Sequence, residues 1–148
     1  MIATGVLIFL SQDSSLVNKI VQNQPQTRRI TRVSVGETKV DVEIADSTSK
    51  LVRGLSGREN LAENSGMYFV LGERKITSFW MKEMKFSIDI IWIDNGKVVG
   101  FVENAPLPTD NEIPTFSSPS PVTHVLEVNA GFVNTHSLKV VDKVVYEN

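Results

Sequence analysis

The chain contains no cysteine. That removes disulfides, thiolate metal sites and cysteine nucleophiles together, and leaves the redox compartment open. Histidine is almost as scarce. His124 and His136 are the whole supply, spaced i, i+12, and that spacing matches no metal-ligand pattern. Both read as ordinary surface or half-buried side chains, so neither a metal nor a cofactor is expected. No sign of charge dominates: 15 Lys and Arg stand against 17 Asp and Glu, for a net charge of −2. A nucleic-acid binder ordinarily carries a basic excess or stripe. The one tight basic cluster, Arg28, Arg29 and Arg32, reads as the solvated start of a strand, and no nucleic-acid partner is expected. Long apolar runs are missing too. Ile2 to Leu10 is apolar, but a bilayer span needs about 20 such residues. No Lys or Arg precedes Lys19, so the positive n-region of a secretory signal is lacking. The segment reads as the tail of a signal or anchor, or as a docked strand. Export or anchoring through it, with membrane association, is favoured over cytoplasmic residence.

At 148 residues the chain suits one domain with a single core. A chain of this size buries roughly 68–70% of its unfolded surface and needs no staple. Residues 1–28 read as the apolar segment and a Gln/Asn-rich linker around Pro25, with one helical turn through Leu16-Val17 and Ile20-Val21. The domain is assigned to 29–148. Ile30 to Val35 alternates, Gly36-Glu37 turns, and Val40 to Ile44 alternates again, which is a hairpin with one apolar face. Asp46 or Ser47 can cap a short helix near 48–56, with Leu51, Val52 and Leu55 on one side. Gly54 and Gly57 end it. Met67 to Leu71 is a strand, and the polar Gly72-Glu73-Arg74-Lys75 separates it from a second hairpin. There Asp94-Asn95-Gly96-Lys97 supplies an Asn-Gly turn inside Ile88 to Val102. Both faces of Ile88 to Ile93 are apolar apart from Asp89, as in a central strand covered on both sides. Ala105 to Pro121 holds every proline but Pro25 and reads as a long loop. His124 to Val128 resumes strand character, Asn129 to Val133 is a short helical or turn segment, and Val140 to Tyr146 is a final strand. The sum is a β-rich α+β domain with a curled or barrel-like, mostly antiparallel sheet.

Several ordered blocks resemble the DUF192 (UPF0127) family. Arg53-Gly54-Leu55 with Arg58 is similar to its Arg-Gly-Leu…Arg opening, and Gly66-Met67-Tyr68-Phe69 to its Gly-Met-Leu-Phe strand. Phe79-Trp80-Met81-Lys82 and Ile88 to Asp94 resemble its Trp-Met-Lys and Ile-Asp-Ile-Ile signature. Glu103-Asn104-Ala105-Pro106 and Val125 to Gly131 follow in the same order. Together these span about Ile44 to Val145. Two positions depart from the pattern: Ser87 stands where the family usually has Pro, and Val141 replaces the Gly of its closing Lys-Val-Gly-Asp. That Gly suits a tight turn, whereas Val resists positive φ. The resemblance implies a compact β-rich fold. It implies no activity.

Asp89 is the sharpest single residue, because a carboxylate among isoleucines is costly unless paired. Lys82 or Arg53 would be natural partners. A structural ion pair or hydrogen-bond anchor is favoured over a catalytic acid or base, and no second carboxylate stands at glycosidase spacing. Phe79, Trp80, Met81, Phe86 and Trp92 could line an apolar groove or simply pack the core. Trp80 beside Lys82 is the one expected to be exposed. Glu103 and Asn104 lead from a strand into the long loop, where ligand-facing residues concentrate, though Asn104 could equally satisfy the loop's own backbone. Asp94-Asn95-Gly96 lacks a Glu at the twelfth position, which is Ala105, so a calcium loop is disfavoured. Gly54-Leu55-Ser56-Gly57 is neither a nucleophile elbow nor a Walker loop. The simplest reading there is a helix stop, with Arg58 paired to a carboxylate.

The leading expectation is a non-enzymatic binding or accessory domain for a small molecule, glycan or peptide. Its groove would lie between Trp80-Met81-Lys82, the Glu103-to-Pro108 strand exit and the proline-rich loop, with Arg53 and Lys82 as polar anchors and Arg58 and Asp89 as further candidate ligand-binding residues. Two alternatives stand beside it. One is a small hydrolase or isomerase using Asp89 and Lys82 as an acid/base pair. The other is a protein-interaction module. The oligomeric state is not legible.

Overall fold

The structure, a computed structural model, describes residues 30–147. The apolar Ile2 to Leu10 segment, the linker, its expected helical turn, and Arg28 and Arg29 lie outside the described residues. In order, the described chain forms β1 (Ile30–Val35), β2 (Thr38–Ala45), α1 (Thr48–Arg53), β3 (Ser65–Lys75) and β4 (Ser78–Trp80). There follow β5 (Ile88–Asp94), β6 (Lys97–Ala105), β7 (Thr115–Ser117), β8 (Val122–Asn129), α2 (Phe132–Thr135) and β9 (Val144–Glu147). Seven strands make one sheet in the order β6-β5-β8-β3-β2-β1-β9, and β4 and β7 pair separately. All pairings are antiparallel except β2 with β3. No helix among the described residues is long and apolar enough to cross a membrane.

The sheet is a curled half-barrel with a core on each face. Period-2 alternation assigns the side chains. On one face lie Val42, Ile44, Tyr68, Ile91, Ile93, Leu126 and Val128, closed by Phe132, Val133 and Leu138. The other carries Met67, Phe69, Ile88, Ile90, Trp92 and Val125, under Leu55, Met81 and Met84. β5 runs between β6 and β8 and is buried on both sides, which is why it reads as nearly unbroken isoleucine. Its hairpin turns through Asn95 (φ 48) and Gly96 (φ 66), the pair of positive angles that an Asn-Gly turn supplies. Gly66 is needed for contact, since a Cβ there would lie 2.6 Å from the Glu127 carbonyl oxygen.

Four local expectations are corrected. Gly72 to Lys75 does not leave the sheet: β3 continues to Lys75 across a bulge, with Gly72 at φ 78 absorbing the register shift. The proline-rich stretch is not loop throughout, because Thr115–Ser117 pairs with Ser78–Trp80. Ser47 precedes α1, but its hydroxyl makes no capping bond, and Val52 is exposed rather than packed with Leu55. The last strand starts at Val144, four residues later than its apolar pattern suggests.

That late start has a cause. The sheet's two edges meet at one corner, where the Val98 N–H donates to the Asp142 carbonyl (2.9 Å) and the Val144 N–H to the Gly96 carbonyl (2.9 Å). Between them the Val141 N–H donates to the Val98 carbonyl (2.8 Å), and this holds Val141 at φ 76 with 69% of its surface exposed. A β-branched residue is strained in that region. Val141→Gly is therefore expected to stabilise the domain by about 1 kcal/mol, the relief of strain less the greater chain entropy of glycine. Urea denaturation of the two proteins measures it, and an unchanged or lower midpoint would refute the strain.

Candidate functional site

A groove of about 280 Å3 opens on the second core face, between α1 with its following turn and β4. Leu51, Leu55, Phe69, Leu71, Phe79 and Met84 make apolar walls. Phe79 ties them to the deep core, meeting Phe69 edge-on at 4.8 Å and Trp92 at 5.7 Å. Two bonds hold the walls at fixed separation: the Ser56 hydroxyl donates to the Lys82 carbonyl (2.8 Å), and the Gly57 N–H to the Glu83 carbonyl (2.9 Å). Arg53 and Trp80 stand at the mouth, and Trp80 is 47% exposed. The Lys82 ammonium lies 5.5 Å from the Trp80 ring centroid, a cation–π distance.

The floor holds Glu127, which sequence reasoning passed over. β8 lies between β5 and β3, and Glu127 falls in a cross-strand row with Met67, Glu43 and Ile90. Its side chain is 5% exposed and forms no hydrogen bond among the described residues. Burial pushes its carboxyl up to about 8, against a smaller opposing pull from the Arg58 guanidinium. Arg58 is committed elsewhere, bidentate to Glu43 at 2.6 and 2.8 Å. Near neutral pH the floor of the groove is thus an uncharged acid whose carboxyl is open to the groove rather than paired with protein. The available signal was a lone Glu inside Val125-Leu126-Glu127-Val128, the same kind that drew attention to Asp89.

The structure brings some of the expected residues together and separates others. Arg53 and Trp80 line the mouth, and Lys82 reaches it only through its place over the Trp80 ring, not being among the lining residues. Met81 is wholly buried beneath them, its N–H donating to the Pro114 carbonyl (2.9 Å), so the proline-rich segment braces β4 from behind. Glu103 and Asn104 are exposed at the end of β6 and are not among the residues lining the groove. Asp89 is 0% exposed, on the opposite face from Glu127. Its partners are neither Lys82 nor Arg53 but three backbone groups. The Asn104 N–H (2.8 Å) and Gly131 N–H (3.2 Å) donate to Oδ1, and the Val133 N–H (2.8 Å) to Oδ2. Asn104 meets it by taking φ 50, which asparagine tolerates. Asp89 is a hydrogen-bond anchor, with no free face for chemistry.

A second, wider hollow of about 830 Å3 lies on the first core face. Tyr68 stacks on His124 there at 5.1 Å, with Tyr146 beyond. Burial pushes the Tyr68 phenol up to about 12 and lowers His124 below its ordinary value. Its charges are already matched, Arg74 with Asp94 (2.9 Å) and Asp46 with Lys50 (3.1 Å). The groove over Glu127 is the stronger candidate, because it alone of the two sets apolar walls around an acid at its floor that no protein group hydrogen-bonds. No cluster of three or more His, Asp or Glu able to hold a metal ion occurs among the described residues.

The family model for DUF192, described as an uncharacterized ACR, matches residues 29–146. The chain belongs to the DUF192 family. Among solved structures, this DUF192 chain is similar to one from Sinorhizobium meliloti 1021 described as a candidate transcription regulator. The two share 28% identity and a TM-score of 0.74, over 80% of this chain and 95% of that one. It is also similar to a protein of unknown function from Novosphingobium aromaticivorans DSM 12444. There the identity is 25% and the TM-score 0.75, over 82% of this chain and 89% of that one. No curated protein is significantly similar to it in sequence.

Two outcomes test the acids of this DUF192 domain. In Asp89→Asn one oxygen becomes an amide that faces backbone N–H donors, which is expected to cost about 3 kcal/mol in urea denaturation. A loss under 1 kcal/mol would refute the anchor. Glu127 acts through pH. The folded chain keeps its proton up to about pH 8, while the unfolded chain releases it near 4.5. Wild-type stability therefore falls relative to Glu127→Gln as pH rises through that window, by up to about 1.4 kcal/mol per pH unit, and levels off above it. A difference that stays constant from pH 5 to 9 would show that Glu127 titrates normally.

Proposed function

We propose that this chain is a binding domain whose groove takes a small amphipathic anion. The apolar part of the ligand lies along the walls of the groove, and its negative end meets Arg53 and Lys82 at the mouth. The observation that carries the reading is an apolar groove lined by Arg53, with Lys82 over the rim ring of Trp80, neither cation having an ion-pair partner among the described residues. With Glu127 uncharged beneath them, nothing at the floor cancels that positive potential near neutral pH. The exposed Trp80 adds a flat apolar rim on which a ligand can rest. Catalysis by Asp89 with Lys82 finds no support, since Lys82 sits over Trp80 and Asp89 is enclosed by backbone.

Trp80 is its own reporter, because Trp92 is buried and resists aqueous quenchers. Titration with octanoate or 8-anilinonaphthalene-1-sulfonate is expected to give a saturable change in tryptophan emission and to shield Trp80 from acrylamide. Arg53→Ala should weaken binding about tenfold, the loss of one charge-assisted contact. Trp80→Phe should abolish the tryptophan signal, while the bound anilinonaphthalene dye still fluoresces. If no alkyl or aryl anion saturates at millimolar concentration and Trp80 quenching is unaffected by any of them, the reading fails.

A further inference from the structure

We propose that Glu127 sets the specificity of the groove by receiving the buried end of the ligand, which must carry an uncharged hydrogen-bonding group such as a hydroxyl or carboxamide. The inference rests on the anion-binding reading of the same groove and adds what the inner end of the ligand must be.

The geometry argues for it in three steps. Glu127 lies on a central strand with Met67 and Ile90 as its cross-strand neighbours, and its carboxyl opens into the groove. An acid at the floor of an apolar groove gains a partner when a ligand brings a polar group to it, since no oxygen of the described side chains is both buried and unpartnered. The nearby protein donors are engaged elsewhere. Arg58 spends both terminal nitrogens on Glu43, the Ser56 hydroxyl donates to Lys82, and the Ser78 hydroxyl is bonded to that of Ser117. The carboxyl nevertheless stays reachable from one side. Gly54 stands over it, and a Cβ at that position would lie 3.7 Å from Glu127 Oε2 and 3.3 Å from Phe69 Cζ. A side chain at residue 54 would fill the space between groove and acid, whereas glycine leaves it open.

The charged groups around this acid are Arg58 and Arg53 from the α1 side, Lys75 from the end of β3 and Glu43 from β2. Glu43 is held by Arg58 and Lys75 by Glu73 (2.9 Å). In its protonated form Glu127 offers one O–H donor and one carbonyl acceptor. A hydroxyl or carboxamide satisfies both. A bare alkyl end satisfies neither, and a site built around a polar partner discriminates strongly against an analogue that lacks it.

Pairs of anions that differ only by methyl against hydroxyl at the far end test this directly, for example octanoate against 7-hydroxyheptanoate, with shorter and longer pairs bracketing the length. Wild type is expected to bind the hydroxy acid of the best-fitting pair about tenfold more tightly at pH 6.5, and Glu127→Leu to reverse the order. Affinity for both acids should fall in wild type as pH passes through 8, where ionised Glu127 repels an anion, and should stay level in Glu127→Gln. Circular dichroism and Trp92 emission check that each variant is folded. If Glu127→Leu does not fold, the pH profile of Glu127→Gln carries the decision. Should both acids bind wild type equally, with no fall above pH 8, Glu127 has no part in recognition while the groove reading survives. Should neither bind at any length, the groove reading fails and this inference with it.

Discussion

Three backbone N–H groups converge on one carboxylate, and much of the fold hangs from that point. Asp89 sits in the strand that joins β6 to the rest of the sheet, and it gathers Asn104 from the end of β6 and Gly131 and Val133 from the start of α2. These segments are remote in sequence, and the Val133 N–H would otherwise be an unsatisfied donor in buried surroundings. α2 in turn supplies Phe132 and Val133, which close the first core. A single polar side chain thus fixes where one core ends and where the proline-rich segment departs from the sheet. An apolar residue there would pack well among isoleucines and leave all three donors stranded.

The two acids of the central strands make an instructive pair. Asp89 and Glu127 each interrupt an apolar strand and are almost equally inaccessible, yet they lie on opposite faces and in opposite circumstances. One is saturated by backbone and is therefore structural. The other is unsatisfied by protein and faces a groove, with its nearest guanidinium already engaged by Glu43. Burial alone does not separate these roles. The inventory of hydrogen-bond partners does.

Much of the architecture was legible in the chain. Alternation gave the first hairpin, and Asn95-Gly96 gave the second, since few residues adopt two successive positive angles. The strand over Ile88 to Ile93 announced itself by being apolar on both faces. What escaped were features that depend on distant partners. Lys75 belongs to a strand because Val122 lies beside it, and Thr115–Ser117 is a strand because Ser78–Trp80 is there to pair with. Val141 is a turn residue because the sheet closes on itself at Val98, against its own β preference. In the groove, the exposed Trp80 beside Lys82 was readable from their adjacency and polarity. Glu127 was not, because one acid in an apolar strand has the same local signature whether it anchors backbone or awaits a partner. Glu103 drew attention by standing at a strand end, and only the three-dimensional arrangement moves it away from the groove.

The lone parallel pairing, β2 beside β3, carries a geometric debt. Antiparallel neighbours can be joined by a tight turn, but parallel ones oblige the chain to travel back along the sheet before pairing again. That return journey runs through residues 46–64 and contains α1, Gly54 and Arg58. Six helical residues are too few to roof the strands they cross, so an uncovered trough remains beside them. The trough is a product of connectivity rather than of any one side chain. A changed side chain alters what furnishes the hollow, while the strand order keeps the hollow itself.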